Sequence, residues 1–402
     1  MTLGVGGSTM DLQLAGLSPR PGRPPAIAAA EYQARLERAR ALTAALGGDA
    51  LLVGAGASLR YFTGVPWGAT ERLVALLLPR KGRPIMICPA FELGSLQADL
   101  KIEADIRLWQ EHDSPAALTA RALAEIGADV LALDPAAPFS LFSALDKAAP
   151  SLRAVDATPV IDGCRGLKSP AELALMRYAK AITLDVHRRA AAILVPGIAA
   201  SAVKRFIDTA HRAAGADGGS TFCAVQFGRA TAYPHGLPGD QALEEGQLVL
   251  IDTGCQVEGY NADITRTYVF GEPGDEHRRI WDIEHEAQAA AFAAVRPGVP
   301  CEVIDETARQ VLQRHGLGPD YVLPGLPHRT GHGIGLSIHE GPYLVRGDTT
   351  RLAPGMCFSN EPMIVIPDRF GVRLEDHFHV TEDGAAWFTE PSPSIDAPFG
   401  AS

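Results

Sequence analysis

Several things this chain is short of limit its role before any motif is read. Lys and Arg number 36 against 47 Asp and Glu, a formal net charge of −11. A phosphate backbone is gripped by clustered cations, so this balance argues against nucleic acid as a partner. No apolar run reaches the roughly eighteen residues that a membrane helix needs. The opening MTLGVGGSTMDLQLAG also lacks the basic start and apolar stretch of a secretion signal. These absences point to a cytoplasmic protein with no membrane partner. Cysteine is sparse: the nearest two, Cys223 and Cys255, are too far apart for a CxxC metal or redox pair, and scattered thiols suit a reducing compartment. Neither the HExxH of zinc peptidases nor the GxSxG of serine hydrolases occurs.

With 402 residues, 47% of them hydrophobic, there is material for two cores. Residues 1–27 are rich in Gly, Pro and Ser and show no period, so they read as a disordered tail. Tyr32, Leu36, Ala39, Leu42 and Leu46 then mark one face of a helix that Gly47-Gly48 ends. Apolar strands ALLV (50–53), RLVALLL (72–78), PIMICP (84–89) and DVLALD (129–134) alternate with helical stretches at 114–126 and 140–149, the pattern of an α/β domain over 28–163. GAGASL (54–59) reads as a plain turn, because Leu59 stands where a third glycine belongs and RYFTGV does not read as a helix. Ser169, Pro170 and Glu172 stand as N-cap, first and third helical residues. This capping box opens a long helix near the start of a second domain, 164–402.

That second domain repeats itself. PGIAASAVKRFIDTAHRAAG (196–215) matches PGVPCEVIDETARQVLQRHG (297–316) in its Pro-Gly break, apolar spacing and terminal Gly. Further on, EEGQLVLID (244–252) matches APGMCFSNE (353–361), each with a Gly six residues before an acid. Asp252 and Glu361 thus hold equivalent places, and each is followed by a second acid, Asp263 or Glu375. Two helix-helix-sheet halves packed as a pseudo-dimer would bring these four carboxylates to one seam. A single acid in a loop is more often a turn-former or an arginine partner; four at matched positions are not explained that way. Two bare carboxylates about 4 Å apart repel by roughly 4 kcal/mol at an effective dielectric of 20, so positive charge has to sit among the four. His332, in TGHGIGLSIHEG (330–341), adds an imidazole where glycines let the backbone come close. One His with four acids suits two divalent ions such as manganese or cobalt better than a lone structural zinc. Two such ions sharing a hydroxide would supply a nucleophile at neutral pH.

Taken together, DTG…NADITRT, GHGIG, NEP and RLED resemble the pita-bread metallopeptidases of family M24, and the preceding domain resembles that of the prolidase and aminopeptidase P branch. The likeness runs from about residue 30 to about 390. It implies an α/β (α+β) chain: an N-terminal creatinase-like domain, then a C-terminal pita-bread domain of two pseudo-symmetric helix-helix-sheet halves. It further implies Asp252 on one metal, Asp263 and Glu375 bridging, and His332 with Glu361 on the other, with manganese expected first and cobalt or zinc as alternatives. Glu361 would take the proton from the attacking water. His235, His328, His339 and Arg373 fall where proline-specific relatives keep theirs.

A bond before proline is a tertiary amide whose leaving nitrogen must be protonated. His339 and His235 are the expected proton donors and carbonyl polarisers. His328 is expected near the carboxylate side of the substrate's proline, and Arg373 on a carboxylate of substrate or protein. The chain departs from the pattern at Val365, where many relatives carry a Tyr four residues after the NEP glutamate, so a phenol is missing from that place. The expected activity is that of an Xaa-Pro dipeptidase, splitting the imide bond before a C-terminal proline in a small peptide. Xaa-Pro aminopeptidase on longer peptides is the nearest alternative; a metal-free creatinase-type amidinohydrolase and a non-catalytic binder are more distant ones. Assembly as a homodimer or homotetramer is expected from the same resemblance.

Overall fold

The computed structural model describes residues 2–400. The chain packs as two units, Ala26–Gly166 on one hand and Leu167–Ser402 together with Met1–Pro25 on the other.

The first unit is built on six strands: β1 (Ala50–Gly54), β2 (Ala75–Pro79), β3 (Ile85–Pro89), β4 (Asp105–Trp109), β5 (Val130–Leu133) and β6 (Arg153–Asp156), in the order β4-β3-β2-β1-β5-β6. β1 runs antiparallel to β2 and parallel to β5. β2 and β3 are buried throughout, β1 at every residue but Gly54 and β5 at its two middle residues, and these four are the strands expected from apolar runs. The edge strands β4 and β6 are exposed or half-buried apart from Trp109, so their sequences, DIRLW and RAVD, carry no such run. The helix expected before β1 spans Ala29–Ala45 and buries Tyr32, Leu36 and Ala39. One expectation fails here. GAGASL does open a helix, Ala57–Thr63, entered through Gly56 at φ 135° and ended by Gly64 at φ 80°, conformations that only glycine adopts freely.

The opening residues are not a loose tail either. Thr2 and Leu3 donate backbone hydrogen bonds to Gly271 O and Asp396 O, Met10–Ala15 forms a short helix capped by Thr9, and Arg23 pairs with Asp217 and Glu258. These ties run through backbone groups and ion pairs rather than an apolar face, so no hydrophobic period announces them.

The second unit follows the repeat. In one half, helices Pro170–Ala192 and Ala200–Ala213 precede β7 (Phe222–Phe227), β8 (Leu248–Gly254), the small β9 (Gln256–Val257) and β10 (Tyr260–Asn261) hairpin, and β11 (Ile264–Val269). In the other, Asp275–Ala293 and Cys301–Arg314 precede β12 (Gly331–Gly333), β13 (Glu340–Leu344), β14 (Cys357–Asn360), the β15 (Met363–Ile366) and β16 (Phe370–Arg373) hairpin, β17 (Asp376–Val380) and β18 (Ala385–Trp387). β8 lies between β7 and β11 as β14 lies between β12 and β17. Ser169 caps the first of these helices: its hydroxyl accepts from Glu172 N at 3.2 Å and Glu172 answers at 2.9 Å.

The two halves meet at a narrow seam. Glu375 N donates to Thr265 O at 3.1 Å, and Arg266 pairs with Asp376 at 2.7 Å with both side chains buried. Trp281 closes the seam from below, its indole donating to Thr267 O at 2.9 Å while its ring joins the core that holds Phe358 and Phe378. Among the described residues no helix is long and apolar enough to cross a membrane.

Candidate metal centre

The seam is where the acids lie. Asp252 sits near the end of β8 and Asp263 stands just before β11; Glu361 follows β14 directly and Glu375 precedes β17 directly. Each half therefore offers one acid where its central strand ends and one where the returning strand begins. The glycines of the motifs are steric necessities. A Cβ on Gly254 would lie 1.8 Å from Ala262 O, and one on Gly331 2.1 Å from Ser359 O. With its flanks so pressed, His332 is fixed at both ends: its backbone N–H donates to Ser359 Oγ and its Nδ1 donates to Gly333 O, both at 2.9 Å. A carbonyl can only accept, so in the neutral ring Nδ1 carries the proton and Nε2 keeps its lone pair, the usual state of a metal-bound imidazole.

His332 Nε2 stands 3.2 Å from Glu361 Oε1 and 3.8 Å from Asp263 Oδ2. Glu375 Oε2 accepts from Thr265 Oγ1 at 2.8 Å, and that hydroxyl accepts from Arg373 Nε at 3.0 Å. Arg373 also forms an ion pair with Asp252 Oδ2, so its partner here is a protein carboxylate. All nine expected residues, Asp252, Asp263, His332, Glu361, Glu375, His235, His328, His339 and Arg373, line one cavity of about 840 Å³. Val365 does not; it is buried in the core. The phenol among the lining residues is that of Tyr321, from a different loop.

Three donor sets among the described residues could each hold an ion: Asp263 with His332 and His339, His332 with Glu361 and Glu375, and Asp263 with Glu375 and His377. Asp252 belongs to none of them, its Oδ2 being engaged by Arg373. His377 was not anticipated from the sequence. Neither was Glu284, a buried acid in the middle of helix Asp275–Ala293 with no hydrogen bond to either side-chain oxygen. A single His or Glu in a helix or strand has no spacing to betray it; the signal lies in strand alternation for His377 and in a buried helix face for Glu284.

The electrostatics show what the cluster needs. Burial, with neighbouring acids adding to it, pushes the Asp263 and Glu375 carboxyls well above their ordinary range. Asp252 is raised by burial too, although Arg373 opposes the shift. At Glu361 burial also works upward, but His332 when protonated at Nε2, then His328 and Arg373, outweigh it and hold the carboxyl at about 2. Burial, then His332 and Arg329, lower His339 to about 4, so at neutral pH it is an uncharged imidazole. Asp252 Oδ1, Asp263 Oδ1 and Glu375 Oε1 are buried without a hydrogen-bond partner. Crowded acids with unbonded oxygens beside a lone-pair nitrogen fit a divalent cation, whose charge would restore their ionised state.

The comparisons agree with this chemistry. Residues 174–382 match the model of metallopeptidase family M24, and residues 35–167 that of the creatinase/prolidase N-terminal domain. The chain is similar to the probable dipeptidase PepE of Mycobacterium tuberculosis, 38% identical over 362 residues that cover 88% of this chain and 93% of that one. Among solved structures it resembles dipeptidase PepE from Mycobacterium ulcerans, with TM-score 0.84, 37% identity and 91% and 97% of the two chains covered. It also resembles a prolidase from Thermococcus sibiricus, with TM-score 0.82, 30% identity and 89% and 97% covered.

Proposed function

Because the chain belongs to metallopeptidase family M24, we propose that it is an Xaa-Pro dipeptidase, hydrolysing the imide bond before a C-terminal proline with two divalent metal ions per subunit. The observation that carries this reading is one cavity holding both the crowded acids with His332 and a separate set of three histidines and Arg373. The names of its relatives, a dipeptidase and a prolidase, support the choice of a small proline peptide.

Asp252, Asp263, His332, Glu361 and Glu375 would hold the ions, which when bound polarise the scissile carbonyl and acidify a water for attack near neutral pH. The remaining steps belong to side chains. Glu361, ionised and braced by Ser359 Oγ at 3.1 Å, accepts the proton of the attacking water. Relayed to the proline nitrogen, that proton makes the amine a leaving group, which a tertiary amide requires. His339, uncharged at neutral pH, offers an N–H to the oxygen on which charge develops. His235 lies in the same cavity and can share that task. His328 donates Nδ1–H to Arg329 O at 2.7 Å and burial disfavours its charged form, which leaves a neutral Nε2 to meet the carboxylate end of the substrate through a bridging water. Arg373 holds Asp252 in place and keeps its own charge, because the four acids outweigh the effect of burial.

We extend the proposal to manganese as the working metal, a homodimer or homotetramer, and a cytoplasmic setting with which six free thiols are compatible. The deciding experiment compares an Xaa-Pro dipeptide with an Xaa-Pro-Yaa tripeptide on protein of known metal content. Faster cleavage of the dipeptide is expected. A preference for the tripeptide would make the enzyme an aminopeptidase, and activity that survives complete metal removal would remove the metal from the reaction.

A further inference from the structure

Resting on the two-metal reading above, we propose that His377 is itself a metal ligand, joining Asp263 and Glu375 around one ion while His332 serves the other. Local structure brings it there. Glu375 stands directly before β17 and His377 lies two residues on, so strand alternation puts both side chains on one face. Asp376 between them points the other way, to Arg266.

Packing then isolates the imidazole. His377 is fully buried, and neither ring nitrogen has a hydrogen-bond partner. Buried histidines elsewhere in this unit are treated differently: His187 Nε2 bonds Ile264 O and His211 Nδ1 bonds Ser220 Oγ, both at 2.9 Å. A histidine kept only for core packing would be expected to satisfy one nitrogen in the same way, since each stranded polar group costs about 1–3 kcal/mol.

The distances fit ligation. His377 Nε2 lies 3.7 Å from Glu375 Oε1, beyond a hydrogen bond. Two donors on one ion, each with a bond of about 2.1 Å, stand roughly 3 to 4.2 Å apart for angles between square and linear. Glu375 Oε1 is the oxygen that Thr265 leaves unbonded, and Asp263 Oδ1 also has no partner. Donor atoms of Asp263, Glu375 and His377 all lie within 4.8 Å of one another. Asp263 meanwhile has Oδ2 at 3.8 Å from His332 Nε2, so its two oxygens can serve two ions, with one imidazole for each.

The test counts imidazoles and does not depend on turnover. Full-length protein is loaded with Co²⁺, its metal content is measured, and proton NMR reads the exchangeable, strongly shifted N–H resonance that each bound imidazole gives beside a paramagnetic ion. Wild-type protein should bind two ions and show shifted resonances from at least two imidazoles. His377→Asn and His377→Leu, checked for folding by circular dichroism, should each lose one resonance, keep that of His332, and bind one ion more than about 100-fold more weakly, exceeding the 10- to 100-fold cost of an outer partner. Two bound ions with a single shifted imidazole in the wild type, or folded variants that keep every resonance, would overturn the assignment and leave the two-metal reading standing. Wild-type protein that takes up fewer than two ions overturns both.

Discussion

Single residues in this site act through their neighbours, and substitutions should report that. Asp263 offers one oxygen near His332 and another without any partner, so Asp263→Asn, nearly the same shape without the charge, should strip the cluster of a shared anionic donor. We expect metal affinity and activity both to fall by at least about 100-fold, read by metal analysis and peptide assay. His339→Ala should separate the two readouts. Its exposed ring stacks edge-on to His332 at 4.2 Å between centroids. Metal content should stay unchanged while kcat drops roughly 100- to 1,000-fold, the usual loss of one donor to a developing oxyanion; loss of an ion instead would make His339 a ligand. At this scale the sequence was most informative where a repeat existed. Matched spacing exposed Asp252, Asp263, Glu361 and Glu375, whereas the tie between Asp252 and Arg373 depends on two strands meeting and leaves no mark in the spacing.

Helices in this unit reach the site indirectly, by holding its loops. Arg309, on the buried face of helix Cys301–Arg314, pairs with Asp305 at 2.9 Å and donates to the carbonyls of Asp320 and His328, both at 2.6 Å. Asp305 in turn accepts from the backbone and hydroxyl of Thr330, at 3.0 and 2.8 Å. The segment that carries Tyr321, His328 and His332 is thus pegged to one helix. Arg309→Met should destabilise the protein by about 3–5 kcal/mol, the cost of breaking a buried pair, and should raise KM for a proline peptide more than it lowers kcat. Thermal unfolding and steady-state kinetics would check the two effects. Elements with a clear apolar period, such as Ala29–Ala45 and the central strands of the first sheet, were legible beforehand. Those that rest on edge pairing or glycine geometry, β4, β6 and Ala57–Thr63, were not.

Across the whole molecule, buried histidines make stability depend on pH. Burial lowers His187 from 6.5 to about 3 and His211 to about 4. In the unfolded chain both take a proton near 6.5, while the folded protein refuses it until these lower values. Their contribution is therefore complete above about 6.5 and shrinks as pH falls, by roughly 1.4 kcal/mol per unit for each residue. Glu284, raised well above 4.5 chiefly by burial, works in the opposite sense, because the folded state holds its proton longer. The net slope is a difference, and one histidine can be isolated from it. His211→Gln should reduce the loss in urea-unfolding free energy between pH 6.5 and pH 5 by about 2 kcal/mol relative to wild type. An unchanged slope would mean that His211 titrates normally in the folded protein.

The seam at Thr265 and Glu375 also divides the donors between two lengths of chain. A break after the exposed Glu272, in the link that follows β11, would leave Asp252 and Asp263 on one fragment and His332, Glu361 and Glu375 on the other. Neither fragment would carry the whole proposed donor set. Mixed together, the two should be knitted by the ions as much as by their apolar faces, so that metal would act as glue, and a chelator as the means of taking the pieces apart.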